Sequence, residues 1–288
     1  MRFAISTLIV TLLASCDPHV DVVNISPDKL LSVSCFISPQ DTVFRAYVYR
    51  GSALGSTIKL DSAAVKDALV TISSGNSFDT LYLAYVEHPI TGVKSYRYEG
   101  RKKNVAVTTN STCSLKVQAI TGEVVTATCT IPPEAGKPSI TGEQVNNDYY
   151  FSVTWSEPQP HKYFILDVNA EGFYEVSTPS GVRWFMVSTF LLEPTTFPSD
   201  VQLPYNEYEG VLQNAFIAET PVLRATVKNI EEGLFKYFRS YAQYQDWDAN
   251  NSGGILPNFR QMPLIHSNIN GGVGFFGGYN QSTVEIIF

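Results

Sequence analysis

Two stretches separated by two residues limit this chain more than any other feature. In CSLKVQAI, Cys113, Leu115, Val117 and Ala119 share one face; in EVVTATCTI, Val125, Ala127, Cys129 and Ile131 do the same. A period of two is that of a strand with one buried side. Ile120-Thr121-Gly122 then forms a three-residue hairpin loop, with glycine where such a loop needs a left-handed residue. This register sets Cys113 opposite Cys129, and two outcomes are open there: a cross-strand disulfide or two buried free thiols.

Other segments repeat the theme. LLSVSCFIS, TVFRAYVYRG, DALVTIS, DTLYLAYVE and SYRYE are short, rich in β-branched or aromatic residues, and bounded by Gly, Ser, Asp and Pro. Short strands at such spacing suggest a β-sandwich. IPPEAGKPSITG (131–142) breaks the rhythm and marks a boundary. YYFSVTWSEP, KYFILDV, VRWFMVSTF, LQNAFIAE and VLRATV then supply a second set of strands. The period changes in NIEEGLFKYFRSYAQYQDW, where Ile230, Leu234, Tyr237, Phe238, Tyr241 and Tyr244 recur at helical spacing. A helix over about 230–246 is expected, with Asn229 as N-cap, Glu231 and Glu232 in its first turn, and its aromatic stripe on the second sheet. Apolar residues are 44% and charged residues 16%, enough to build a core. The expected fold is mainly β: two immunoglobulin-like β-sandwich domains, 29–133 and 134–288, the second carrying the one helix.

The amino terminus reads MRFAISTLIVTLLASC. One arginine, an apolar stretch too short to span a bilayer, and small residues before a cysteine form a signal-peptide pattern. Leu13-Ala14-Ser15-Cys16 resembles a bacterial lipoprotein signal. That resemblance implies residues 1–15 as signal peptide, diacylation of Cys16 and a tether over 16–28. More than one acyl chain makes such an anchor stable. Three cysteines remain, and Cys35, on the apolar side with Leu31 and Val33, reads as an inert core thiol.

Several chemistries are argued against. Net charge is −7 without a basic run, which speaks against nucleic acid as partner. GVGFFG (272–277) has the dinucleotide-loop spacing, but a helix must follow such a loop, and STVEIIF alternates like a strand instead. Glycine-rich turns leading into a last strand are expected there. DWDANNSGG begins like a calcium loop with Asp246, Asp248 and Asn250, yet Asn251 and Pro257 stand where that loop needs Gly and Glu. The four histidines show no zinc spacing, and no nucleophile elbow or P-loop is present, so neither metal, cofactor nor catalysis is expected.

The tail SNINGGVGFFGGY, with Ser267, Asn268, Ile269, Gly271, Gly272, Gly274 and Phe276, resembles the closing signature of Bacteroidetes outer-membrane lipoproteins of the domain-of-unknown-function 4249 family. SVSCFISPQD, KDALVTIS, ATCTIP, VTWSEP, FPSD and the aromatic helix follow the same order, so the resemblance spans nearly the whole mature chain. Cys113 is a departure, because such proteins more often carry an aromatic there. The resemblance implies a lipid-anchored protein encoded beside a TonB-dependent receptor, and supplies no ligand or catalytic residue.

Two surface features complete the reading. YNEYEG sets Tyr205 and Tyr208 in an acidic loop, which suits recognition of a sugar or a partner loop; the alternative is that both fold onto the domain. Asp41-Thr42-Val43, Asp61-Ser62-Ala63 and Asp79-Thr80-Leu81 resemble Bacteroidetes O-glycosylation acceptors, and strand-entry turns explain them equally well. The expected role is an outer-membrane accessory, on the cell surface rather than the periplasmic face. It would work with a TonB-dependent transporter in ligand capture or gating, using second-domain loops and the interdomain groove. A structural or adhesive module is the rival, and a hydrolase with a hidden site the third.

Overall fold

Alternation in the first half of the chain becomes burial. The computed structural model describes residues 30–51, 60–87, 94–145, 148–155, 163–178, 181–192, 207–212, 218–251 and 264–287. Strand β1 (Leu31–Ile37) buries every second residue, and β2 (Val43–Arg50) buries Phe44, Ala46 and Val48. A one-turn helix, α1 (Leu60–Ala63), leads to β3 (Leu69–Ser74), β4 (Ser77–Glu87) and β5 (Lys94–Arg101). Then comes the expected hairpin of β6 (Thr112–Gln118) and β7 (Val124–Thr130). Its loop closes through Ala119 N–H to Glu123 O at 2.9 Å, and Gly122 has φ +99°.

The second half contains β8 (Pro138–Val145), β9 (Asp148–Trp155), β10 (Phe164–Thr178), β11 (Gly181–Leu192), β12 (Glu207–Leu212) and β13 (Ala218–Ile230). Helix α2 (Glu232–Asn251) and β14 (Val273–Ile287) end the described chain. The fold is mainly β with one long helix near its C-terminal end. Eleven strands run in the order β11-β10-β13-β14-β1-β2-β5-β4-β3-β6-β7, and β12-β9-β8 form a second sheet.

One strand carries the join. β14 lies parallel to β1 over residues 273–278 and antiparallel to β13 over residues 279–287. At the parallel end its backbone presses onto β1: a Cβ on Gly274 would sit 2.0 Å from the Val33 carbonyl oxygen, and its φ is +111°. The sheet then curls until β7 returns to the segment entering β14. Thr126 and Asn270 exchange backbone hydrogen bonds of 3.1 and 2.8 Å. Side chains extend the seam beyond that bridge. Asn268 pairs with the backbone of Phe276, accepting its N–H at 2.9 Å and donating to its carbonyl at 2.8 Å, and donates to Thr128 O at 3.1 Å. The Glu231 carboxylate accepts N–H groups of Thr130 at 3.0 Å and Gly278 at 3.1 Å.

Where β14 changes partners, a polar cluster fixes the crossing. Gln40 donates to Asn280 Oδ1 at 2.7 Å, and Asn280 donates to Pro132 O at 3.3 Å. Tyr279 donates to Asp41 at 3.1 Å, so Asp41 ties the end of β1 to β14. Burial pushes the Asp41 carboxyl up, against the pull of Tyr279, Ser38 and two nearby cations. Asn229 is fully buried and donates to Glu134 O at 3.2 Å.

The apolar residues form three clusters. One lies within β1–β7 and takes Ile269 and Phe276 from the tail; a second joins Phe151, Val153 and Trp155 to Leu166, Val168 and β13. The third, Ile165, Ile230, Leu234 and Phe275, seats α2. Rings of Phe238 and Phe36 are 5.8 Å apart, and those of Tyr237 and Phe275 5.2 Å. The helix therefore packs on the eleven-stranded sheet, over β14 and the end of β1 beside Ile165 and Ile230.

Several expectations need correcting. Asn229 is not the N-cap, because its side chain is taken by the 133–134 backbone and its main chain stays in β13. Glu231 O accepts the first helical bond, from Phe235 N–H, and the helix runs over 232–251 rather than 230–246. Of the glycines of GVGFFG, Gly272 lies at the bend before the last strand as expected, whereas Gly274 and Gly277 lie within β14. The boundary segment 131–142 is irregular only to residue 137, since Pro138 opens β8, a strand position that tolerates a missing N–H. Of LQNAFIAE, residues 213–217 lie outside the described residues.

The cysteine register is as expected, Cys113 opposite Cys129, but all three described cysteines are free and buried. Hydrogen bonds at 119–123 and between Ile131 N–H and Ser111 O place the pair, by parity, at a hydrogen-bonded position. Cys35 is an inert core thiol as expected, its acidity suppressed by burial and by Asp41.

Gly274→Ala should destabilise the protein by at least about 3 kcal/mol, because both backbone angle and carbonyl contact oppose a side chain. Gly122→Ala, strained in angle but with nothing within 4 Å, should cost about 1 kcal/mol. Urea unfolding of the two variants measures the difference.

Candidate ligand-binding site

β4 changes partner part-way along. Residues 77–81 pair with β3, and residues 82–87 pair with β5. The strand thus passes between two parts of the curled sheet, and a gap opens beside its first half. Ser77, Phe78, Thr80 and Tyr82 bound one side; Glu99, Gly100, Arg101, Lys103 and Asn104 bound the other. The depression measures about 680 Å³ and is open to solvent.

Asp79 builds the floor. It is 5% exposed, and the backbone N–H groups of Lys103, Asn104 and Val105 donate to its carboxylate at 3.1, 3.1 and 3.0 Å. Asn104 Nδ2 adds a fourth bond at 2.9 Å. Burial alone pushes this carboxyl up, but the donors together outweigh burial and hold it below its ordinary value of 3.8. One buried carboxylate thereby shapes the loop after β5. Gly100 brings β5 against β4: a Cβ there would meet the Thr80 carbonyl oxygen at 2.7 Å.

The rim is aromatic and charged. Leu81 points into the core, so its even-numbered neighbours point out; Phe78 is 61% exposed and Tyr82 71%. They are four steps apart along the strand, about 13 Å. Across from Tyr82, Glu99 accepts ion-pair contacts from Arg45 Nε at 3.0 Å and Arg97 Nη2 at 2.6 Å. Arg101 and Lys103 are exposed, and neither has an acidic partner among the described residues. The arrangement can stack flat faces, exchange hydrogen bonds through Asn76, Ser77, Thr80 and Asn104, and hold an anion.

Of the residues singled out from sequence, Asp79 and Thr80 of the glycosylation-like Asp79-Thr80-Leu81 lie here. Cys16 and Tyr205 lie outside the described residues. Tyr208 falls on β12 opposite Val153, so the expected acidic loop is strand from Glu207 onward. Asp246, Asp248 and Asn250 lie on α2, so DWDAN, which only begins like a calcium loop, is helical backbone. Of the glycosylation-like aspartates, Asp79 and Asp41 serve the fold through the bonds described. The missed signal was local: in FDTLY, two rings share a parity opposite to the buried Leu81.

Because the Asp79 carboxyl is lowered on folding, its stabilisation is present above the ordinary value and lost as pH falls through the lowered one. Asp79→Asn should destabilise the protein near neutral pH by about 2 kcal/mol, since an amide N–H then faces backbone N–H groups. Urea unfolding at about pH 7 and about pH 3 should show a smaller acid-induced loss in the variant than in the parent.

No curated protein matches the chain. A family model described as "Domain of unknown function (DUF4249)" matches residues 18–285, nearly the full length. The chain belongs to the DUF4249 family.

Proposed function

We propose that this is a lipid-anchored outer-membrane protein that binds a ligand in the depression between β4 and the loop after β5, and presents it to a TonB-dependent transporter. Phe78 and Tyr82 carry this reading, as two large rings held in solvent on one strand face beside polar side chains. Surface aromatics of this kind supply contact area at low entropic cost. This site replaces the second-domain loops as the favoured recognition surface. Among the described residues no helix is long and apolar enough to cross a membrane. Attachment in this reading rests on acylated Cys16, with the chain on the cell surface. The protein recognises rather than reacts: Asp79 is occupied by amide donors, and Glu99 is held by two guanidiniums.

The same reading divides the fold into two immunoglobulin-like sandwiches that share β14. The division of the core between β1–β7 and the β9, β10 and β13 group supports it.

Metabolic palmitate labelling should mark the parent chain, and Cys16→Ser should remove the label and shift the protein from the membrane to the soluble fraction. A receptor-sized barrel protein should co-purify with the parent through detergent washes. An unlabelled parent whose fractionation ignores Cys16→Ser contradicts the anchor. Labelled protein without a receptor favours an adhesive module.

A further inference from the structure

We propose that the depression takes a carboxylate-bearing oligosaccharide, with Phe78 and Tyr82 stacked on its sugar faces and Arg101 and Lys103 holding its acid groups. This rests on the reading of the depression as a recognition site and adds the chemical class of the ligand.

The charges decide the sign. Two carboxylates line the depression, and both are engaged: Asp79 by three backbone amides and Asn104, Glu99 by Arg45 and Arg97. The two lining cations, Arg101 and Lys103, have no acidic partner among the described residues. The available charge is therefore positive, on a chain whose net charge is −7. A cation at a solvent-facing rim binds a carboxylate through charge-assisted hydrogen bonds.

The remaining groups favour a sugar over a peptide. A peptide would add to the open edge of β4 through its backbone. That edge is already covered: Asn104 Nδ2 donates to Phe78 O at 3.3 Å, and Gly100 lies against Thr80 O. Recognition is left to side chains. Asn104 uses its Nδ2 on Asp79 and Phe78, which leaves its Oδ1 to accept a ligand hydroxyl. Rings about 13 Å apart along one strand suit an extended ligand of several units better than a single small anion.

The test uses the full chain in non-ionic detergent, so that the micelle adds no charge. Oligogalacturonate, oligomannuronate and sialyllactose are titrated by calorimetry, each beside its carboxyl-reduced counterpart. At least one acidic form should bind about tenfold or more tightly than its reduced form. That preference should weaken with added salt. The double variant Arg101→Gln/Lys103→Gln should abolish the preference, while Tyr82→Ala should weaken acidic and reduced forms alike. All three side chains are exposed, and unchanged melting temperatures verify folding. Equal binding of both forms overturns the inference and leaves the recognition site standing. Acidic binding that survives the double variant overturns it too, by placing the ligand elsewhere. Failure of every form to bind overturns both the inference and recognition of saccharide at this depression.

Discussion

The carbonyl of Val33 leaves no space for a side chain at position 274, and the architecture depends on that contact. Through it the last strand lies parallel to the first, close enough to bury Phe276 in the core of β1–β7. From Tyr279 onward, β14 is the antiparallel partner of β13. A single strand thus completes two groups of strands. The tail signature is best understood as the means of this double duty. Asn268 pairs with Phe276 and reaches β7, Ile269 enters the core, Gly272 and Gly274 admit the carbonyls of β1, and Phe276 fills the space beneath. Its glycine spacing resembles a phosphate loop only because both uses need backbone at close approach.

A shared strand must not slide or twist at its crossing point, and polar side chains prevent that. Gln40 and Asp41 hold Asn280 and Tyr279, while Asn229 and Asn280 hold the 132–134 backbone. Buried groups of this kind fix one register, because any shift leaves a donor or acceptor unmatched away from water. Helix α2 covers the same crossing with Leu234 and its aromatic rings, so apolar packing and hydrogen bonding act at one place. The candidate site lies elsewhere, where β4 leaves β3 for β5. The rigid join and the open depression are separate features of one curled sheet.

How much the sequence discloses depends on the distance between partners. The β6–β7 hairpin was readable down to its register, because both strands and the loop lie within twenty residues and alternate cleanly. The parallel pairing of β1 with β14 was not, because Gln40 and Asn280 are 240 residues apart and β14 carries glycine where alternation would show. Asn229 misled for the same reason: as a polar residue before a helical period it reads as a cap, and only its distant partners reveal a strand residue. For the facing cysteines the pattern fixed the positions but left open whether they join, and free thiols are the outcome seen. The site was half-legible. Exposed rings at 78 and 82 follow from parity with Leu81, whereas the gap beneath them follows from a change of partner that leaves no local trace.

By joining both strand groups, β14 makes them one cooperative body. Native-state hydrogen exchange along that strand, followed in increasing urea, tests it most directly. Amides of 273–278, the segment paired with β1, and of 279–287, the segment paired with β13, should open together with the same free energy and the same urea dependence. Two separate openings, one for each half of the strand, would contradict it.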